Sequence, residues 1–91
     1  PPKGMRRVNK NILFVDDEPR ILEGLEHMLY GMRRDWSMRF ARGGTEALTL
    51  LEQEPADVVV SDMRMPEMGG VELLGQIMEL YPSTVRIILS G

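Results

Sequence analysis

Three short runs of exclusively apolar residues constrain the fold of this 91-residue chain more than any other feature of its sequence. They occupy residues 12–15, 58–60 and 87–89, and each run ends abruptly at polar residues. A strand that is apolar on both faces has to be covered on both faces, which is typical of a parallel sheet lying between two layers of helices. The runs therefore predict buried strands of such a sheet.

Segments with helical or alternating patterns lie between these runs. Pro19 suits the first turn of a helix, and the apolar residues after it recur at helical spacing, at Ile21, Leu22, Leu25, Met28, Leu29 and Met32. Similar spacing predicts helices over residues 45–52 and 71–81, whereas the alternation over residues 36–40 predicts a further strand. The resulting order of strands and helices predicts a three-layer α/β fold with a parallel sheet between helices.

Composition excludes several classes of function. Apolar residues make up 43% of the chain and charged residues 27%, which is typical of a globular domain. Because the chain has no cysteine and a single histidine, it has no thiol nucleophile, no thiolate metal site and no histidine-rich metal site, and we expect a reducing, cytoplasmic location. The net charge of −3 and the lack of a long apolar stretch argue against nucleic acid and membrane as partners.

Residues 1–10 are basic and show no periodicity. They carry four cationic side chains, Lys3, Arg6, Arg7 and Lys10. We expect them to form a flexible lead that precedes a domain at residues 11–91, because charges at this density are usually solvated. A polyanion-binding arm is the alternative interpretation of the same residues.

Acidic residues stand where two of the predicted strands end. Asp16 and Asp17 follow the first run, and Asp62 follows the second after one serine. Sites in parallel α/β sheets lie beyond the carboxyl ends of the strands, so the three carboxylates would converge if these two strands are neighbours. Close carboxylates repel one another unless a cation lies among them, and Mg²⁺ prefers such oxygen ligands. The alternatives are local roles: Asp16 and Asp17 as helix caps before Pro19, and Asp62 as a turn residue.

Three segments, in this order along the chain, resemble the receiver domain of bacterial two-component response regulators. The segments are ILFVDDEP at residues 12–19, DVVVSDMRMPEMGG at 57–70 and RIILSG at 86–91. The resemblance implies a flavodoxin-like, doubly wound fold and a signalling function in which the domain accepts a phosphoryl group from a histidine kinase. It implies no enzymatic activity beyond promotion of the domain's own phosphorylation and dephosphorylation.

The resemblance also implies roles for individual residues. Asp62 would be the phosphoacceptor, and Asp16 and Asp17 would hold Mg²⁺ directly or through water. The backbone carbonyl of Arg64 would supply a further Mg²⁺ ligand, and Ser90 the hydroxyl that binds the phosphoryl group and operates the switch. Receivers of this kind act on a C-terminal output domain, and these segments are similar to those of receivers fused to HD-type phosphodiesterase effectors.

The family's domain extends beyond the last residue that matches in this sequence. Its fourth helix, fifth strand and fifth helix have no counterpart here, and neither Lys3 nor Lys10 stands where the family has a lysine at the end of the fifth strand. We therefore expect either an excerpt of a longer polypeptide or a fragment that pairs with a second copy, as a homodimer or a swapped assembly. In such a fragment we expect the switch to be defective.

Three other functions are compatible with a fold of this class. A small phosphohydrolase with an aspartate nucleophile would place a second aspartate two residues further on, where this chain has Arg64. A flavodoxin-like cofactor binder needs a phosphate loop after the first strand, where the acidic residues 16–18 would repel phosphate. A structural or dimerisation module, derived from a truncated or degenerate receiver, is the main alternative.

Overall fold

The computed structural model describes residues 9–89 of the chain. Its elements, in chain order, are β1 (Lys10–Val15), α1 (Pro19–Met28), β2 (Trp36–Ala41), α2 (Gly44–Gln53), β3 (Val58–Asp62), α3 (Gly70–Leu80) and β4 (Val85–Leu89). A short 3₁₀ helix at Tyr30–Met32 links α1 to β2. The alternation of strands and helices predicted from the sequence is confirmed over the described residues.

The four strands form one parallel sheet in the order β2-β1-β3-β4. From β1 the chain moves outward to β2, and it then crosses back to β3 on the other side of β1. The strand order therefore reverses between β1 and β3, which is where parallel α/β sheets place their sites. The three-layer α/β fold with a doubly wound parallel sheet is confirmed.

Each face of the sheet has its own apolar core, which explains why the strands are apolar on both faces. On one face, the fully buried Leu13 and Val59 pack with residues of α2 and α3, among them Leu51, Leu73 and Ile77. A smaller cluster lies on the opposite face, where Leu22 of α1 packs against Ile12 and Phe14. The ring of Phe14 also stacks on that of Phe40 in β2, with the ring centroids 5.4 Å apart.

The first helix is shorter than its apolar pattern predicts. α1 ends at Met28 and the chain then turns through the 3₁₀ helix, so Met32 is not part of α1. Leu22 is the buried residue of α1, while Ile21 and Met28 are exposed to solvent. Gly31 lies in the 3₁₀ segment, and the low helix propensity of glycine accounts for the early end of the helix.

The prediction of a buried run at residues 87–89 is wrong: Ile87 and Leu89 are exposed, and Ile88 is half-buried. Val85, Ile87 and Leu89 alternate along β4 and are 55%, 42% and 48% exposed, respectively. Ile87 pairs with Val60, so these side chains lie on the α1 face of the sheet. None of the helices within residues 9–89 buries these side chains, and β4 keeps an apolar face in solvent.

The first strand begins inside the segment that the sequence predicts to be a flexible lead. β1 begins at Lys10, which the charge pattern placed in the flexible lead. The other three basic residues of that segment, Lys3, Arg6 and Arg7, lie outside the described residues. No helix in the described part of the chain is long and apolar enough to span a membrane.

Candidate functional site

Three aspartates converge at the carboxyl edge of the sheet. Asp16 and Asp17 directly follow β1, and Asp62 is the last residue of β3. Because β1 and β3 are parallel neighbours in which Val15 pairs with Ser61, their carboxyl ends lie side by side. Each aspartate offers one carboxylate oxygen, and these oxygens all lie within 4.8 Å of one another. The structure thus brings together the three carboxylates that the strand pattern predicts to converge.

Backbone contacts hold Asp16 between β2 and the start of α1. Its N–H donates to the carbonyl of Ala41 over 3.0 Å, which continues the pairing of β1 with β2. Its Oδ1 accepts a hydrogen bond of 2.9 Å from the N–H of Glu18, a local turn two residues long. The residue that caps α1 is Glu18, and it makes no side-chain capping bond. The helix-capping alternative therefore describes neither Asp16 nor Asp17.

The surroundings of Asp16 disfavour its charged form. Burial is the largest cause and raises the pKa of the carboxyl group, and repulsion from Asp62 and then from Asp17 and Glu18 raises it further. The hydrogen bond from the Glu18 N–H lowers this pKa and offsets part of the increase. The ionised cluster is thus destabilised by its own charge, and a cation among the three carboxylates would relieve that repulsion.

The raised pKa of Asp16 makes stability depend on pH. Since folding raises the pKa of Asp16, the folded state holds this proton more tightly than the unfolded chain does, and stability falls as pH rises through that range. Asp16→Asn keeps an acceptor for Glu18 but removes the charge. In the presence of a chelator, we expect this variant to be more stable than wild type at neutral pH, and equally stable below the ordinary aspartate pKa. Urea unfolding at both pH values measures this; equal stability at neutral pH would contradict it.

The loop between β3 and α3 is packed tightly against the site. The N–H of Gly70 donates to the carbonyl of Met63 over 2.9 Å, which closes the loop behind Asp62. Met65 and Met68 are half-buried against the core on the α2 and α3 face, whereas Met63 is exposed. The methionines of this loop therefore act mainly as filling between the site and the core.

Glu67 carries backbone strain in this loop. Its φ of 66° lies in the left-handed region, which is costly for a residue with an extended side chain. Asparagine tolerates this conformation better, so we expect Glu67→Asn to raise the free energy of unfolding by about 0.5–1 kcal/mol. Glu67→Gln removes the same charge without relieving strain and is the matched control in denaturant unfolding. If both substitutions raise the free energy of unfolding equally, the increase comes from removal of the negative charge and not from relief of strain.

Of the two other residues predicted to belong to the site, one is described by the structure and the other is not. Arg64 lies in the exposed loop two residues beyond Asp62, and its role as a carbonyl ligand stays a prediction. Ser90, the predicted switch hydroxyl, lies outside the described residues.

The sequence analysis missed a cleft that adjoins Asp17. It has a volume of about 320 Å³ and is also lined by Arg42, Gly44, Glu67 and Met68. Arg42 directly follows β2, so the rule that sites lie beyond the carboxyl ends of parallel strands would have drawn attention to it. Arg42 is a weaker sequence signal than the three aspartates, because β2 ends at a small apolar residue followed by an arginine rather than at a carboxylate.

A family model described as the response regulator receiver domain matches residues 12–91. This chain belongs to the response regulator receiver domain family. As a receiver, it has a phosphoacceptor role in two-component signalling, and the match favours that role over the cofactor binder and the phosphohydrolase considered above.

Curated relatives show the same relationship in longer proteins. The receiver is 39% identical over 84 residues to the hydrogenase transcriptional regulatory protein HoxA of Bradyrhizobium diazoefficiens, covering 92% of this chain and 17% of HoxA. It is 41% identical over 66 residues to a probable cyclic di-GMP phosphodiesterase of Vibrio cholerae, covering 72% of this chain and 14% of that protein. The chain therefore spans about a sixth of the length of these relatives.

A solved structure has the same fold. The crystal structure of the signal receiver domain of an HD domain-containing protein from Pseudomonas fluorescens matches with a TM-score of 0.87 and 39% identity. The match covers 92% of this chain and 66% of that one. The receiver fold seen here is thus that of an experimentally determined receiver domain over nearly all of the present chain.

Proposed function

We propose that Asp62 is the phosphoacceptor of this receiver and that a histidine kinase is its physiological phosphodonor. The observation that carries the proposal is the convergence of the three carboxylates at the switch point of the sheet, with Asp62 at the end of the central strand β3. An oxygen of Asp62 attacks the phosphorus, the bond from phosphorus to the kinase's imidazole nitrogen breaks, and the imidazole takes up a proton. The product is an acyl phosphate.

The donor set of this site fits Mg²⁺. All three side chains offer hard oxygen ligands, and these oxygens lie within 4.8 Å of one another. Burial and then the neighbouring charges raise the pKa of Asp16 and so disfavour its ionised form. Asp16, Asp17 and Asp62 would hold the ion together with the backbone carbonyl of Arg64. The ion supplies charge neutralisation for the transferring phosphoryl oxygens.

The residues of the chain have separate tasks in this proposal. The short loop behind Asp62, closed by Gly70, fixes the nucleophile at the rim of the sheet. The local turn between Asp16 and Glu18 leaves the second oxygen of Asp16 for the ion. Ser90 would donate its hydroxyl to the phosphoryl group and carry the change in charge to the output.

The output that this receiver controls is a proposal as well. We infer a C-terminal effector domain in the full protein, in a cytoplasmic two-component pathway. An HD-type phosphodiesterase is supported by two relatives: a receiver from an HD domain-containing protein is 39% identical, and a probable cyclic di-GMP phosphodiesterase is 41% identical.

A second candidate function is assembly with another copy of the chain. The exposed apolar residues on the α1 face of β4, Val85, Ile87 and Leu89, favour it, because apolar faces of this kind promote association. In that case the isolated 91 residues would accept a phosphoryl group without completing the switch. Light scattering after size exclusion tests the pairing, and a folded monomer at high concentration would contradict it.

The phosphoacceptor is identified by chemical trapping. Incubation with Mg²⁺ and acetyl phosphate is expected to add one phosphoryl group, and reduction of the acyl phosphate with borohydride converts the labelled aspartate to homoserine. We expect peptide mapping to place homoserine at position 62. Label at Asp16, Asp17 or another carboxylate, or no label under these conditions, would refute the assignment.

A further inference from the structure

We propose that Arg42 captures anionic phosphodonors at the Asp17 side of the site. This inference deepens the proposed function and rests on it. It follows from the place of Arg42 in the fold, from the charges around the cleft that it lines, and from its lack of a partner in the described part of the chain.

Arg42 lies at the same edge of the sheet as the three aspartates. It directly follows β2, whose last residue Ala41 pairs with Val15 and accepts the hydrogen bond from the N–H of Asp16. Arg42 therefore stands beside Asp16 in the next strand, one position beyond the paired residues. Its own N–H donates to Oε1 of Glu46 over 2.6 Å, which fixes its backbone to the first turn of α2.

The guanidinium of Arg42 is available to a ligand. The side chain is exposed, and within residues 9–89 it makes no hydrogen bond or ion pair. Two other arginines are engaged: Arg39 binds the carbonyls of Leu50 and Glu54, and Arg33 lies over the ring of Tyr30. The five N–H donors of the Arg42 guanidinium are thus free to bind a ligand.

That space carries an excess of negative charge. Of the described residues that line the 320 Å³ cleft, Arg42 is the single cation, whereas Asp17, Glu46 and Glu67 are acidic. A small phosphodonor such as acetyl phosphate is itself an anion, so it is repelled by these carboxylates and by the site beyond them. The guanidinium of Arg42 offsets this repulsion and binds phosphate oxygens in a fork.

The role of Arg42 is confined to capture. Its guanidinium donates hydrogen bonds to oxygens of the phosphodonor, while the bond to phosphorus is formed by Asp62. Because the contact is exposed to solvent, its contribution is modest, and it weakens as salt screens the charges. A donor with less negative charge, such as phosphoramidate, gains less from Arg42 than acetyl phosphate does.

Phosphorylation kinetics at saturating Mg²⁺ test this proposal. For Arg42→Ala we expect the second-order rate constant with acetyl phosphate to fall about two- to fivefold, less with phosphoramidate, and the difference to shrink in high salt. Arg42→Lys should restore most of the rate. Arg34→Ala removes an exposed arginine that does not line the cleft and is the matched control.

Mg²⁺ affinity separates capture from a structural role. We expect Arg42→Ala to bind Mg²⁺ at least as tightly as wild type, since a nearby positive charge is removed. Three results for Arg42→Ala would overturn the proposed role: an unchanged rate constant with acetyl phosphate, an equal loss of rate with both phosphodonors, or a weaker affinity for Mg²⁺. If wild type reacts at Asp62 and Arg42→Ala matches it, this inference alone fails. If wild type is not phosphorylated at Asp62, both proposals fail.

Discussion

Asp62→Asn is expected to reduce phosphorylation by acetyl phosphate in the presence of Mg²⁺ by about a thousandfold or more. The substitution removes the attacking oxygen and leaves an amide, which is a poor nucleophile, while the shape of the side chain is kept. Asp62 is half-buried at the end of β3, so the fold should tolerate the change. Intact-mass measurement of the phosphorylated fraction over time gives both rates directly.

The same substitution at the other end of the same strand is the matched control. Asp57 immediately precedes β3, is exposed, and accepts a hydrogen bond of 2.7 Å from the N–H of Asn11. Asp57→Asn keeps an acceptor there and should be phosphorylated at the wild-type rate. Phosphorylation of Asp62→Asn at a comparable rate would remove Asp62 from the chemistry.

Gly70→Ala is expected to lower the free energy of unfolding by about 2–3 kcal/mol. A Cβ at this position would collide with the carbonyl oxygen of Asp62 and lie 3.1 Å from both the carbonyl carbon of Asp62 and Cα of Met63. These atoms belong to backbone, which cannot yield as a flexible side chain can. Either the start of α3 or the end of β3 has to move, so phosphorylation should fall together with stability.

Gly75 provides the control within the same helix. It lies in the middle of α3, and no heavy atom lies within 4 Å of a Cβ built there. Gly75→Ala should therefore raise the free energy of unfolding by about 0.5–1 kcal/mol, since alanine favours helix. Urea unfolding of both variants measures the contrast. A neutral Gly70→Ala would mean that the loop behind Asp62 is looser than its contacts indicate.

Local patterns were sufficient to predict the layered fold. The run at residues 12–15 is buried on both faces because helices cover both sides of β1. In the run at residues 58–60 only Val59 is fully buried, and the valines on either side of it are half-buried on the α1 face. Burial depends on neighbours, however, and the run at residues 87–89 has the same composition but lies in β4, where one face is open. An apolar run alone does not show whether helices pack on both faces of its strand.

The acidic part of the site was predictable for the same reason that the sheet was. Asp16, Asp17 and Asp62 each mark the carboxyl end of an apolar strand, and parallel neighbours bring such ends together. The same rule applies to Arg42, which directly follows β2, but its importance depends on a cleft lined from three loops, and the sequence does not show that cleft. The strain at Glu67 could not be predicted either. Its φ of 66° is usual for glycine or asparagine, but the sequence has a glutamate at this position.

Asp16, Asp17 and Asp62 are expected to hold a single divalent ion together, and every role proposed for this site depends on it. Calorimetric titration with Mg²⁺ tests it directly in wild type and in the three single Asp→Asn variants, with Asp57→Asn as control. We predict one ion per wild-type chain, an affinity about tenfold or more weaker in each site variant, and an unchanged affinity in the control. Wild-type affinity in all three site variants, or no saturable binding to wild type, would contradict the account.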